Sequence, residues 1–173
     1  VGLVILARIN QIADFKKLFK KGELVTISNY LDERAILFLN VENRTLALEK
    51  LIDALDKEGK LKNRQEFHHA ILEREKIVST GIGMGVAIPH AKLEGYKDFF
   101  IAIGIQEGRG IEWNALDGLP VHIIFMIGGP ANQQTEYLKI LSRITMAIKD
   151  EVRRKKILKA KSGKEVISLF EEC

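Results

Sequence analysis

The sequence has a single cysteine among its 173 residues, and that cysteine, Cys173, is the last of them. No intrachain disulfide can form and no CxxC or Cys/His metal framework exists, so neither a disulfide scaffold nor a bound metal is expected. This cysteine usage fits a reducing cytosol. Long apolar runs are missing as well. Val1 to Ala7 falls far short of the roughly 20 residues that span a bilayer, and it lacks a signal peptide's basic leader and small-residue cleavage site. A soluble, cytoplasmic protein is expected. With only three prolines, no Pro/Ser-rich linker, no low-complexity tract and no internal repeat, nothing suggests a second folded domain. Strong charge of one sign is also absent from the body of the chain. The formal net charge is +4 and the pI is near 9.1. Residues 1–22, however, contain Arg8, Lys16, Lys17, Lys20 and Lys21 against Asp14 alone, so the remainder holds 22 charges of each sign. A basic nucleic-acid-binding body is thereby excluded. The excess charge belongs to an N-terminal extension.

What is present is 46% apolar and 29% charged residues, the composition of one compact globular domain. In the extension, Ile5, Ile9, Ile12 and Phe19 approach helical spacing, with lysines gathered before Gly22. A short basic amphipathic helix over 3–21 is expected, packing on the main domain, on a second copy of it, or on anionic lipid. From residue 23 the pattern becomes mixed α/β. Ile36 to Leu39 marks a strand near 35–41. Leu48, Leu51, Ile52 and Leu55 repeat at helical spacing before Gly59, which predicts a helix over 44–58. Asn63 with Glu66 three residues on reads as a capping box opening a second helix to about Glu73. The runs Phe99–Ile105 and Val121–Ile127 are long enough for buried strands of one sheet. A helix from about Gln133 to Ile148 follows Pro130, with Leu138, Leu141, Ile144 and Ile148 inward. Two short helices close the chain, Glu151–Lys159 behind Asp150 and Lys164–Glu171 behind Ser162. Helices on both sides of a strand-rich middle indicate a sheet covered on two faces.

The most unusual stretch is Ser79-Thr80-Gly81-Ile82-Gly83-Met84-Gly85-Val86-Ala87-Ile88-Pro89-His90-Ala91-Lys92. Alternate glycines permit positive φ and open the backbone N–H groups to an anion. No Walker lysine follows and no helix begins directly after them, so nucleotide binding is poorly supported. His90 is read as the end of a short strand behind a proline that restricts its neighbours, and is the side chain best placed for reactivity. A neutral imidazole offers one ring nitrogen as nucleophile while a hydrogen bond to the other fixes the tautomer. The ordinary alternative is a histidine with satisfied hydrogen bonds and no chemistry. His68 and His69 are adjacent on a helix and diverge by about 100°, while His122 lies in an expected strand. Arg74-Glu75 reads as a solvated pair just after the second helix, unless Arg74 faces His90 and balances phosphoryl charge. Trp113 reads as a packing anchor.

The motif from Ser79 to Lys92 resembles the active-site signature of the type-2 enzyme IIA domains of the bacterial phosphoenolpyruvate:sugar phosphotransferase system, the fructose, mannitol and nitrogen-regulatory group. The resemblance extends to Arg74-Glu75 upstream, and downstream to Pro120-Val121, Phe125, Pro130-Ala131 and Leu138-x-x-Leu141. It covers about Leu24 to the C-terminus and leaves residues 1–22 outside, giving an extension over 1–22 and a IIA domain over 23–173. It implies a single three-layer α/β/α sandwich around a small mixed sheet. It also implies that His90 accepts a phosphoryl group from the small phosphocarrier HPr. Arg74 is then the arginine beside the phosphohistidine, and Thr80, Gly81, Gly83 and Gly85 form the wall of the site. The implied chemistry needs no cofactor and no metal, since an N–P bond is both broken and made.

Tyr137 stands where many members carry a second active-site histidine. A phenol donates a hydrogen bond to a phosphoryl oxygen but does not become a cation. Weaker charge stabilisation follows, so slower transfer or a regulatory role is expected. Three outputs are weighed. The first is a regulatory phosphocarrier whose phosphorylation state alters its binding to a transporter or signalling protein, favoured because no IIB, IIC or HPr segment is fused. The second is a carrier of fructose/mannitol-type sugar uptake that passes phosphate to a IIB domain. The third is a non-catalytic binding module. A homo-oligomer formed through residues 1–22 is a further expectation.

Overall fold

A computed structural model describes residues 25–171 of the protein. Its strands are β1 (Leu31–Leu39), β2 (Gly81–Gly83), β3 (Val86–Ala87), β4 (His90–Leu93), β5 (Phe100–Gln106) and β6 (Ile123–Pro130). A 3-10 turn, Ile27–Tyr30, precedes β1. The helices are α1 (Arg44–Lys57), α2 (Arg64–Ile77), α3 (Gln134–Lys149), α4 (Glu151–Lys159) and α5 (Gly163–Ser168).

Strands β5 and β6 are buried at every residue, so neither face of the sheet centre can meet water. Their side chains divide with the period of two that a pleated strand imposes. Ile101, Ile103 and Ile105 join Ile123, Phe125 and Ile127 on one face, packed with Ile140, Ile144 and Ile148 of α3, Ile157 of α4 and Val166 of α5. Phe100, Ala102, Ile124 and Met126 point the other way, onto Leu48, Leu51, Ile52 and Leu55 of α1 and Phe67 and Ile71 of α2. The result is the expected three-layer α/β/α sandwich around a mixed sheet. Its order is β1-β5-β6-β3-β2. β1 lies parallel to β5, β5 antiparallel to β6, β3 parallel to β6, and β2 antiparallel to β3.

The detail that positions the site is an interrupted strand. β3 pairs Val86 and Ala87 with Ile123 and Ile124, and β4 resumes along the same edge with His90 opposite Ile127 and Lys92 opposite Gly129. Between them Pro89 has no N–H to give to the ladder. Its carbonyl still accepts from the Ile127 N–H at 3.0 Å, while the Ile88 N–H turns to Thr80 O at 3.0 Å. His90 therefore starts a strand held on both sides of a break.

Local signals locate most helix starts. The side chains of Asn43, Asn63, Asp150 and Ser162 each accept a backbone N–H of the first turn that follows. At Ser162 the return bond differs from a strict capping box, because the Glu165 carboxylate takes the Lys161 N–H. Several boundaries also differ from the sequence reading. The first strand begins at Leu31 and ends at Leu39. Val121 makes an isolated bridge to Ile111, and the strand expected from it starts at Ile123 and runs on through two glycines. α5 ends at Ser168. α2 continues past Glu73 to Ile77, because Arg, Glu and Lys are good helix formers and nothing breaks the run. The helix expected over 3–21 lies outside the described residues. Among the described residues no helix is long and apolar enough to cross a membrane.

Candidate functional site

His90 opens β4 directly after Pro89; the reading that put it at the end of a strand did not anticipate the resumption of pairing. Its two ring nitrogens have different partners. Nδ1 lies 2.9 Å from Ile88 O, a group that only accepts, so Nδ1 carries the hydrogen. Nε2 receives the Nε–H of Arg74 at 3.1 Å, and since a guanidinium only donates, Nε2 must hold the lone pair. Both bonds select the same neutral tautomer. Burial pulls the imidazole from 6.5 down to about 4; the bond to Ile88 opposes this, and the positive charges of Arg74 and Lys92 add to it. At neutral pH the ring is uncharged, with a lone pair on Nε2.

Arg74 reaches His90 because α2 extends further than expected. Its Nη1 donates to Val78 O at 3.0 Å, fixing the guanidinium across the end of the helix. Glu75 is not the solvated partner read from the sequence. It is 7% exposed and accepts from the Thr80 N–H at 3.1 Å, the Thr80 hydroxyl at 2.7 Å and the Trp113 indole N–H at 2.8 Å, with Arg44 Nη1 at 3.5 Å. One buried carboxylate thus ties the last turn of α2 to the start of β2 and to the loop before β6. Its neighbour Arg74 is positioned as a result. A usable signal was in the sequence: Glu75 falls four residues after Ile71 and eight after Phe67, on the buried stripe of α2. Trp113 is fully buried, a packing anchor with a hydrogen bond added.

The glycine-rich stretch forms a hairpin, β2 with β3, turning through Gly83, Met84 and Gly85, all at positive φ. A side chain on Gly81 would place its Cβ 2.8 Å from Ala115 Cβ, so only glycine allows this close approach. The neighbours of Gly83 and Gly85 are Asp117, Pro120 and His122. The Gly81 N–H is taken by Ser79 Oγ at 3.1 Å and the Met84 N–H by Asp117 Oδ2 at 2.8 Å. These donors serve the fold, which corrects the reading of the glycines as an open anion cradle. Thr80 connects to the site through Glu75.

The opposite wall comes from α3. The Tyr137 ring is buried, 5.5 Å from the His90 ring and 6.3 Å from Phe99, centre to centre. Burial pushes its phenol up to about 12, so it stays neutral. Lys92, which the sequence offered only as part of the motif, sets its ammonium 4.5 Å from the centre of the Tyr137 ring and donates to Gln134 Oε1. His90, Arg74, Tyr137 and Lys92 are thus brought together. His68 and His69 lie on α2 six and five residues before Arg74, and His122 precedes β6, its N–H bonded to Gly85 O at 2.8 Å.

Comparison with known proteins gives the family and the fold. The family described as phosphoenolpyruvate-dependent sugar phosphotransferase system, EIIA 2, matches residues 29–173. A fructose-specific EIIABC component of Bacillus subtilis is 38% identical over 136 residues, which are 78% of this chain; the chain spans only 21% of that protein's length. A nitrogen regulatory protein of Klebsiella oxytoca is 33% identical over 150 residues, 85% of this chain and 91% of that protein. Among solved structures, the nitrogen regulatory protein IIA-Ntr of Neisseria meningitidis superposes with a TM-score of 0.77 at 29% identity, covering 83% of this chain and 98% of that one.

Proposed function

We propose that this chain, which belongs to the EIIA 2 family of the phosphoenolpyruvate-dependent sugar phosphotransferase system, carries a phosphoryl group on Nε2 of His90. The observation behind the proposal is the pair of opposed hydrogen bonds on the imidazole. One holds the hydrogen on Nδ1 and the other leaves the Nε2 lone pair facing a guanidinium. The donor is the phosphohistidine of an HPr-type carrier in the cytoplasm. The Nε2 lone pair attacks phosphorus, the donor's N–P bond breaks, and its electron pair returns to the donor imidazole. No proton has to move when the donor ring holds a hydrogen on its other nitrogen: the donor leaves as a neutral imidazole, and the His90 ring takes up the positive charge. Nδ1 keeps its hydrogen on the Ile88 carbonyl, and the Arg74 Nε–H released from Nε2 turns to a phosphoryl oxygen, where a charge-assisted bond is stronger. Because one N–P bond replaces another, the protein's task is alignment of two imidazoles and stabilisation of spread negative charge. Arg74 does the second directly. Thr80, with Glu75, fixes the helix end that carries it, and Gly81, Gly83 and Gly85 seat the hairpin behind it.

The favoured output is regulatory, the phosphorylated and free forms differing in affinity for a transporter or signalling protein. The 33% identity to a nitrogen regulatory protein supports this reading. The 38% identity to a fructose-specific component favours the second, onward transfer to a IIB domain. Incubation with phosphoenolpyruvate, enzyme I and HPr tests the common step. Acid-labile, base-stable phosphate on the wild type and none on His90→Ala is expected; equal labelling of both, or of neither, sinks the phosphocarrier and leaves a binding module. Onward transfer to a IIB domain then decides for sugar uptake. Self-association through residues 1–22 completes the proposal, and equal oligomeric state in sedimentation with and without them refutes it.

A further inference from the structure

A phosphoryl group on His90 brings about two negative charges at neutral pH; Arg74 answers part of them, and the ring, which keeps its Nδ1 hydrogen, carries one positive charge of its own. In members with a second histidine that imidazole can answer another part, but Tyr137 stays neutral. β4 places a second side-chain cation within reach of the phosphoryl oxygens. His90 and Lys92 are two residues apart on one strand, opposite Ile127 and Gly129 of β6, so their side chains leave the same face. Ala91 between them is buried toward α2. The Lys92 ammonium rests on the Tyr137 ring and on the Gln134 side-chain oxygen, both from the first turn of α3. Neither partner carries a charge. A ring that lies 5.5 Å from the His90 imidazole is therefore also the platform on which this ammonium sits.

We propose that Lys92 is the second cation of the phosphoryl site, its ammonium leaving the Tyr137 ring and the Gln134 amide to pair with the phosphoryl oxygens on His90. The inference rests on His90 being the phosphoryl acceptor. No covalent change occurs at Lys92: it stays protonated and exchanges a cation–π contact and a hydrogen bond to a neutral amide oxygen for a hydrogen bond to an anionic phosphoryl oxygen, the strongest of the three. Its flexible four-carbon stem permits the movement, which a shorter side chain in this place would not make as readily. Burial already lowers the ammonium from its ordinary value, and its charge is one of the causes that lower His90, so the two groups share one electrostatic field. A dianion arriving at Nε2 relieves both.

The test compares wild type, Lys92→Met, Lys92→Gln and Lys92→Arg in single-turnover phosphorylation by phosphorylated HPr, followed by phosphorus NMR of each phosphorylated protein against pH. The Met and Gln variants are expected to accept phosphate at least about tenfold more slowly, and Arg within about threefold of wild type. The phosphoryl resonance should titrate at higher pH in the Met and Gln variants than in wild type and Arg. That shift reports a lost neighbouring charge, which a merely structural role would not produce. Fluorescence of the lone Trp113 checks that each variant is folded, and Gln retains a polar head if Met does not fold. Equal rates with an unchanged titration overturn the assignment of Lys92 alone. A wild type that gains no phosphate overturns the reading of His90 beneath it.

Discussion

Lowering the pH should destabilise this protein through His90 in a way that can be isolated. The imidazole titrates at 6.5 in the ordinary state and at about 4 in the fold, chiefly because it is buried. Above pH 6.5 both states are neutral and nothing is lost. As pH falls below that value the unfolded chain binds a proton that the folded chain refuses, so stability drops until the folded imidazole also protonates near 4. At about 1.4 kcal/mol for each tenfold change in proton affinity, the full loss is about 3 kcal/mol. Most of it, about 2 to 3 kcal/mol, is in place by about pH 4.5. Carboxylates also titrate in this range, and His90→Gln removes the imidazole while leaving them. Urea unfolding of both proteins near pH 7.5 and near pH 4.5 gives the difference. The wild type should lose about 2 to 3 kcal/mol more than the variant, and an NMR titration of the ring should have its midpoint near 4. Equal losses, with a midpoint at the ordinary 6.5 value, would refute the argument from burial and neighbouring charge.

Glu75→Leu leaves the Thr80 N–H buried without its acceptor and the Trp113 indole N–H with only Thr80 Oγ1 at 3.2 Å, and should cost about 2 to 3 kcal/mol in denaturant unfolding. Emission of the lone Trp113 should shift with it; unchanged stability would remove Glu75 from the support of the site. Gly81→Val drives a side chain into Ala115, whose Cβ is 2.8 Å from the new Cβ position, and should cost about 1 to 3 kcal/mol while slowing phosphorylation, read from thermal melts and initial rates. Tyr137→His supplies a ring that can become cationic, so phosphorylation at about pH 6.5 should rise about threefold. In that background Lys92→Met should slow the reaction less than it does in wild type.

Much of the fold was legible because the strongest local signals and the tertiary structure agree. Leu48, Leu51, Ile52 and Leu55 mark α1 by spacing alone, Asn63 and Ser162 cap the helices they precede, and the unbroken apolar runs of β5 and β6 call for helices on both faces. The motif pointed to His90 and, through the resemblance, to Arg74 and Tyr137. What was misread depends on partners distant in sequence. Glu75 looks solvated in a charged run, and only Thr80 and Trp113 explain its burial. Gly81 to Gly83 has little strand propensity, yet pairs with β3 because the loop around Ala115 presses on it. The bearing of Lys92 on Tyr137 requires α3 to lie beside β4, which no local pattern encodes.

The central claim is that Nε2 of His90 is the nucleophile. Phosphorylating the nitrogen-15-labelled protein through phosphoenolpyruvate, enzyme I and HPr, then observing nitrogen–phosphorus coupling by NMR, identifies the modified atom. Phosphorus is expected on Nε2 of His90, with Nδ1 still hydrogen-bonded to Ile88 O. Phosphorus on Nδ1, on His68, His69 or His122, or on no histidine at all would contradict it.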